Sequence, residues 1–276
     1  MYVSNPFIYL IMRVVLPSNA SMKHFPDNTL AKYTVQLPQS LNLSHGRWEF
    51  GLSEIQFAKS WYNITKANLK IIKNRVQTNI QLDDGYYETP QQFIEHINDK
   101  IHTVYKETSG RLISFHFNKV TRLCEIKTTA NKEITLEFSK NLEQILGYTT
   151  KQFNRELKEM SNIYPSRGDI VKEVTIPGSL PVRLDSIFNL MVYCDIAQST
   201  TVGDVEAPLL RAVPVNKDHW INQCTEFSNI QYLPIAQKNV RSISIYIYTD
   251  FGELVPFVYG RTVCTLNFRR IDHSTY

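Results

Sequence analysis

A chain of 276 residues is long enough for one large domain or two smaller units with a buried core. Its 43% hydrophobic and 20% charged content excludes global disorder, and a net charge of +4 from scattered Lys and Arg argues against a dedicated nucleic-acid site. Fifteen Tyr and fourteen Phe against ten Gly favour strands, because flat rings pack well on a pleated surface.

Residues 7–16 form an apolar run ended by Pro17-Ser18-Asn19 and read as a first strand. The run is too short to span a bilayer, and it lacks the basic start and cleavage site of a signal peptide. No membrane span and no secretion are expected, so the Asn-x-Ser/Thr triplets at Asn19, Asn42 and Asn63 read as chance matches. Residues 33–37 alternate and stop at Pro38. Residues 48–57 alternate again, with Trp48, Phe50, Leu52 and Ile55 as apolar members around a bulge. Residues 69–82 supply one or two more strands before the turn Asp83-Asp84-Gly85.

The pattern then changes. Thr89-Pro90-Gln91-Gln92 carries an N-cap, a proline at the first helical position and a capping-box glutamine. Phe93, Ile94, Ile97, Ile101 and Val104 follow at helical spacing, which predicts a helix over 91–106. A hairpin of 112–117 and 123–128 comes next, then a strand over 133–138. Ser139 caps a short helix that ends at Gly147. This stretch, 83–150, reads as a small α+β insertion subdomain, followed by a polar connection over 151–170 without a strong apolar face. Strand patterns resume at 171–176, 186–196, 209–215, 227–233, 242–248 and 262–270. Outside the insertion there are about ten short strands with no intervening helices, which predicts an antiparallel sheet protein. The expected architecture is mainly β: a single jelly-roll sandwich from 1–82 and 171–276, interrupted by the insertion.

Signals for chemistry are sparse. Cys124, Cys194, Cys224 and Cys264 form no CxxC pair, and the seven histidines form no HExxH, so neither a metal site nor a cofactor is implied. Apolar surroundings make Cys124, Cys194 and Cys264 small hydrophobes in a reducing compartment. Cys224, beside Trp220 and His219, is the least unfavourable thiol for catalysis, but GxSxG, GxxxxGK[ST] and GxGxxG are all absent. No catalytic residue is expected. Arg167-Gly168-Asp169 has two readings, a receptor ligand at a loop tip or a glycine turn before a strand, and turn chemistry favours the second. Trp61, Tyr62 and Trp220 are candidate aromatic anchors for an interface.

Several stretches together carry a family resemblance. They are Leu16-Pro17-Ser18-Asn19-Ala20-Ser21-Met22, Phe25-Pro26-Asp27-Asn28-Thr29-Leu30, Trp48-Glu49-Phe50-Gly51-Leu52-Ser53-Glu54-Ile55-Gln56 and Trp61-Tyr62-Asn63. To these add Val202-Gly203-Asp204-Val205-Glu206-Ala207-Pro208-Leu209-Leu210-Arg211, and the ending from Val255-Pro256-Phe257 to Thr265-Leu266-Asn267-Phe268-Arg269-Arg270. In order and spacing the chain resembles the minor capsid (penton) proteins of Polinton/Maverick elements, adintoviruses and virophage-like viruses. The resemblance implies a single jelly roll that forms homopentamers at capsid vertices, beside a double jelly-roll major capsid protein. It implies a place in the virion, synthesis inside a host cell, and no catalytic residues. Another minor capsid component, or a jelly-roll module that binds a receptor or glycan, is the alternative.

Overall fold

The computed structural model describes residues 11–105, 113–129, 134–163, 173–184, 187–215 and 222–271. In chain order its elements begin with β1 (Ile11–Pro17), β2 (Lys32–Asn42), β3 (Arg47–Ala58), β4 (Asn68–Lys73), β5 (Val76–Gln81) and α1 (Pro90–Tyr105). Next come β6 (Ile113–Phe117), β7 (Cys124–Thr129), β8 (Ile134–Phe138), α2 (Lys140–Leu146), α3 (Thr150–Ile163) and β9 (Glu173–Pro177). The chain continues through β10 (Asn189–Cys194), β11 (Thr200–Val202), β12 (Val205–Ala207), β13 (Leu209–Pro214) and β14 (Asn222–Glu226). It ends with β15 (Leu233–Pro234), β16 (Asn239–Tyr248) and β17 (Val263–Ile271). Two compact units result: Met1–Trp61 with Ile187–Tyr276, and Tyr62–Ser186.

The first unit is a sandwich of two antiparallel sheets, ordered β1-β17-β3-β14 and β13-β10-β16-β2, with β15 also on β3. Counting only these eight long strands in chain order, the sheets run 1-8-3-6 and 5-4-7-2. That is the strand order of a jelly roll, in which the chain repeatedly crosses from one sheet to the other. Period-two patterning explains why the sheets close on each other. Tyr33 and Val35 of β2, Leu190 and Val192 of β10, Ile243, Ile245 and Ile247 of β16, and Cys264, Leu266 and Phe268 of β17 are all buried in one core. Phe50 and Phe268 stack at 5.2 Å within it. The Tyr33 hydroxyl crosses the core to donate to the Leu16 carbonyl at 3.2 Å, which satisfies a phenol that burial would otherwise penalise.

The expected bulge lies in β3. Glu54 pairs with Thr265 and Leu52 with Leu266, so Ser53 is the extra residue. The insertion lets Leu52 and Ile55 both face the core although they are three residues apart. One residue before Leu52, Gly51 has no room for a side chain. A Cβ there would come within 2.3 Å of the Gln231 carbonyl oxygen, where residues 230–231 cross the outer face of the sheet.

The second unit has its own core. Sheets β5-β4-β8 and β6-β7-β9 bury Leu69, Ile71, Leu136, Phe115 and Ile126, together with Phe93 and Ile97 of α1, Leu142 of α2 and Phe153 of α3. Local chemistry sets the helix starts. The Gln92 amide donates to the Thr89 hydroxyl at 3.2 Å, while the Gln92 side chain accepts from the Glu88 amide at 2.8 Å. Ser139 caps α2, and Gly147 ends it in the left-handed region at φ 69°.

Three expectations change. The insertion is wider than 83–150, because β4 pairs with β8 and β9 pairs with β7, so strands assigned to the sandwich belong to the second core. The polar connection 151–170 holds a helix across 150–163, whose buried stripe is narrow: Phe153, Leu157 and Ser161 at successive turns. Residues 227–232 are not a strand; they cross the sheet, and the polar run 222–226 pairs with β3 instead. The beginning of the first apolar run, 7–10, lies outside the described residues.

Because each unit buries its own core, replacing 62–186 by a Gly/Ser linker of about ten residues should leave a cooperatively melting β protein; loop length costs little entropy. Circular dichroism melts of the shortened chain check this. A molten or insoluble product would show that the sandwich does not hold without the second unit.

Candidate functional site

The outer face of the β1-β17-β3-β14 sheet carries the most elaborate polar cluster of the described residues. Its centre is Glu54, placed by the bulge at Ser53 and only 8% exposed. Arg13 of β1 donates to Glu54 Oε2 at 2.8 Å, and the Thr265 hydroxyl of β17 donates to the same oxygen at 3.5 Å. On Oε1 the carboxylate accepts from the Gln56 side-chain amide of β3 and from Cys224 Sγ of β14 at 3.5 Å. One carboxylate thus touches every strand of the four-stranded path. The Gln56 amide above all, and then Cys224, Arg13 and Thr265, hold its pKa below the ordinary value of 4.5 against the opposing effect of burial.

Beside this cluster lies a cavity of about 470 Å³ lined by Arg13, Ser53, Glu54, Glu226, Phe227, Ser228 and Asn267. Two cation–ring contacts hold the segment 227–232, which supplies Phe227 and Ser228 to this lining. The Arg211 guanidinium sits 3.8 Å from the Phe227 ring centre, and Arg269 sits 3.7 Å from that of Tyr232 while pairing with Glu49 at 2.9 Å. A second cavity, about 320 Å³, lies between α1 and β6 in the other unit. There Asn98 grips the Phe115 amide and carbonyl at 2.8 Å each.

Beside the second cavity the buried Ser114 hydroxyl lies 2.9 Å from Nε2 of His116, which lines it, and the thiol of the first site is Cys224. Desolvation first, and then the hydrogen bond to Glu54, push the Cys224 thiol above its ordinary pKa, the reverse of what a reactive thiolate needs. Cys124, Cys194 and Cys264 are free and buried, and desolvation raises Cys264 to about 12. Among the described residues no three His, Cys, Asp or Glu side chains are grouped to hold a metal, and no helix is long and apolar enough to cross a membrane.

The expected interface residues fare differently from one another. Trp61 is 3% exposed, stacked on Phe57 at 6.5 Å and edge-on to Phe257 at 5.6 Å, so it is a core residue and not a surface anchor. Three residues beyond the end of β3, the ring sits between two aromatics whose packing buries it. Tyr62 is 38% exposed. Trp220 and Arg167-Gly168-Asp169 lie outside the described residues. Exposed apolar side chains that the sequence reading did not single out include Phe188 and Phe251, and the Asp250 carboxylate accepts from the Phe188 and Asn189 amides at 2.7 and 2.9 Å.

No family model matches the chain, and no curated protein matches it. Among solved structures it is similar to the mavirus penton protein, at 13% identity over 95% of this chain and 100% of that one, with a TM-score of 0.50. It is also similar to a chain of the Sputnik virophage particle, at 12% identity over 97% and 99%, with a TM-score of 0.48. At 13% identity the likeness to the mavirus penton protein is one of fold, and the fold is the mainly β jelly roll.

Glu54→Ala should destabilise the chain by about 2 kcal/mol, the scale of hydrogen bonds to a charged group. The folded pKa lies below the unfolded one, so this contribution is complete above the ordinary value of 4.5 and is lost as pH falls through the lower folded value. Urea melts of wild type and Glu54→Ala should therefore differ at pH 7 and converge in acid. Chelation with EDTA should leave the melting temperature unchanged, since the described residues hold no ligand cluster.

Proposed function

We propose that the chain is a structural capsid protein that forms the pentameric vertex of an icosahedral particle. The observation that carries this reading is the extent of the fold likeness to the mavirus penton protein, which takes in all of that chain and both compact units of this one. The physical character of the molecule supports it. The sandwich is tied by a carboxylate that bridges four strands, desolvation pushes its thiols above their ordinary pKa, and its most polar cluster is occupied by structural bonds. Such a body suits load-bearing contacts and not turnover; it acts without a catalytic residue or cofactor.

As a vertex protein it associates with itself in a ring of five and with a double jelly-roll major capsid protein around that ring. It resides in the virion, after synthesis inside a host cell. Tyr62 and Trp220 are its aromatic anchors at subunit contacts. A closed ring needs two different complementary faces on each subunit, which an asymmetric sandwich provides.

Native mass spectrometry over a concentration series, with and without the major capsid protein, tests the reading. Five copies of a 32.1 kDa chain give a species of about 160 kDa that should grow with concentration. A stable dimer or trimer, or a strict monomer inside assembled particles, would refute the vertex assignment.

A further inference from the structure

The β11–β12 hairpin is the least supported element of the sandwich unit. Its two three-residue strands pair only with each other. A Cβ added to Gly203 at its tip would meet nothing within 4 Å, and Val205 is 57% exposed. A lone two-stranded ribbon is marginal in water, so this one gains most from a surface supplied by another molecule. Asp204 and Glu206 are the only charged residues between Asp195 and Arg211. Both are exposed, and neither forms an ion pair among the described residues.

The matching charge lies at the same end of the sandwich. The root of the hairpin is bound to residues 234–236, with the Gln198 amide on the Pro234 carbonyl at 3.0 Å and the Ala236 amide on the Ile196 carbonyl at 2.9 Å. Two residues further on is Lys238, whose carbonyl accepts from the Leu43 amide at 2.8 Å. Arg241 follows at the start of β16, and Arg47 opens β3 four residues after Leu43. Lys238, Arg241 and Arg47 are all exposed, and none has an ion pair among the described residues.

We infer that the acidic hairpin of one copy seats against the Lys238–Arg241–Arg47 rim of the next copy. The inference rests on the ring proposed above. Copies in a closed ring stand at equal height, so features at one end of the sandwich meet features at the same end of the neighbour, and the contact is heterologous as a ring demands. Asp204 and Glu206 then face cations that have no partner within their own described chain, and Val205 loses its exposed surface. Opposed charges of this kind set register and association rate more than total affinity, and salt weakens them.

The test uses the full chain and native mass spectrometry across concentration. Asp204→Lys with Glu206→Lys, and separately Lys238→Glu with Arg241→Glu, should each raise the concentration for half-maximal ring formation about tenfold or more. Combining all four reversals should return it to within about threefold of wild type, because the opposed charges are restored. Melting temperatures should not move, since every altered residue is exposed. Rings that form equally well in all variants, or that the combined reversal fails to restore, overturn the hairpin contact and leave the ring standing. A wild-type chain that forms no ring at any concentration, alone or with the major capsid protein, overturns the ring and this contact with it.

Discussion

The position of β17 constrains everything else in the sandwich. It lies between β1 and β3, with Cys264 opposite Leu16 on one side and Ile55 on the other. The strand in the middle of that sheet is thus made last, and β17 is the one described strand with which β1 forms a ladder. Such a sheet is dominated by contacts distant in sequence, which makes closure slow. The second unit has no such debt, since its strands pair within 62–186 and can form before the last strand is synthesised. Glu54 fits this order of events. Its partners on β1 and β17 are separated by most of the chain, so its four-strand cluster assembles only once the sheet is complete, and it then holds the late strand and the early edge in one network.

Burial and satisfaction explain why the sandwich core tolerates polar atoms. Tyr33 is 1% exposed, yet its hydroxyl reaches a carbonyl on the opposite sheet. Burial raises its pKa well above the ordinary value, so the phenol stays neutral and remains a donor. Cys194 and Cys264 are likewise kept as thiols by desolvation. The core cluster is a set of neutral groups that fill space, and the buried carboxylate of Glu54 lies outside it among hydrogen-bond donors.

Much of this was legible in the sequence, and the failures have a common cause. Strands with one buried face show their period, which is why β16 and β17 could be read residue by residue, whereas the strand read over 33–37 runs on through Pro38 to Asn42, where the alternation of burial is lost. The bulge was legible because Leu52 and Ile55 break the alternation. The run 222–226 is polar on both faces and carries no period, so only its pairing with β3 reveals it as a strand. The boundary of the inserted unit was missed because it depends on β4–β8 and β7–β9 pairings between distant segments, which no local pattern encodes. The stripe of α3 includes Ser161 where a sequence reading looks for an apolar residue. Trp61 and Glu54 carry no local signal of their place. A tryptophan just past a strand can be core or contact, and a glutamate in a strand reads as a solvated member until its four partners are in place.

Placing the second unit on a single connection of the jelly roll follows from the same constraint. Every strand of the sandwich except those at the edges has two neighbours, so an addition within a strand would break two ladders at once. The chain leaves after Trp61 and returns at Ile187, between the third and fourth long strands, where the crossover from one sheet to the other already requires a connection. Lengthening that connection costs only a logarithmic loop entropy, which the inserted core recovers by burying its own apolar faces. The hairpin between the fourth and fifth strands uses the opposite solution. It is too short to bury anything, so its three-residue strands gain stability only from what they touch, and its sequence can vary with that surface while the eight-stranded frame stays fixed.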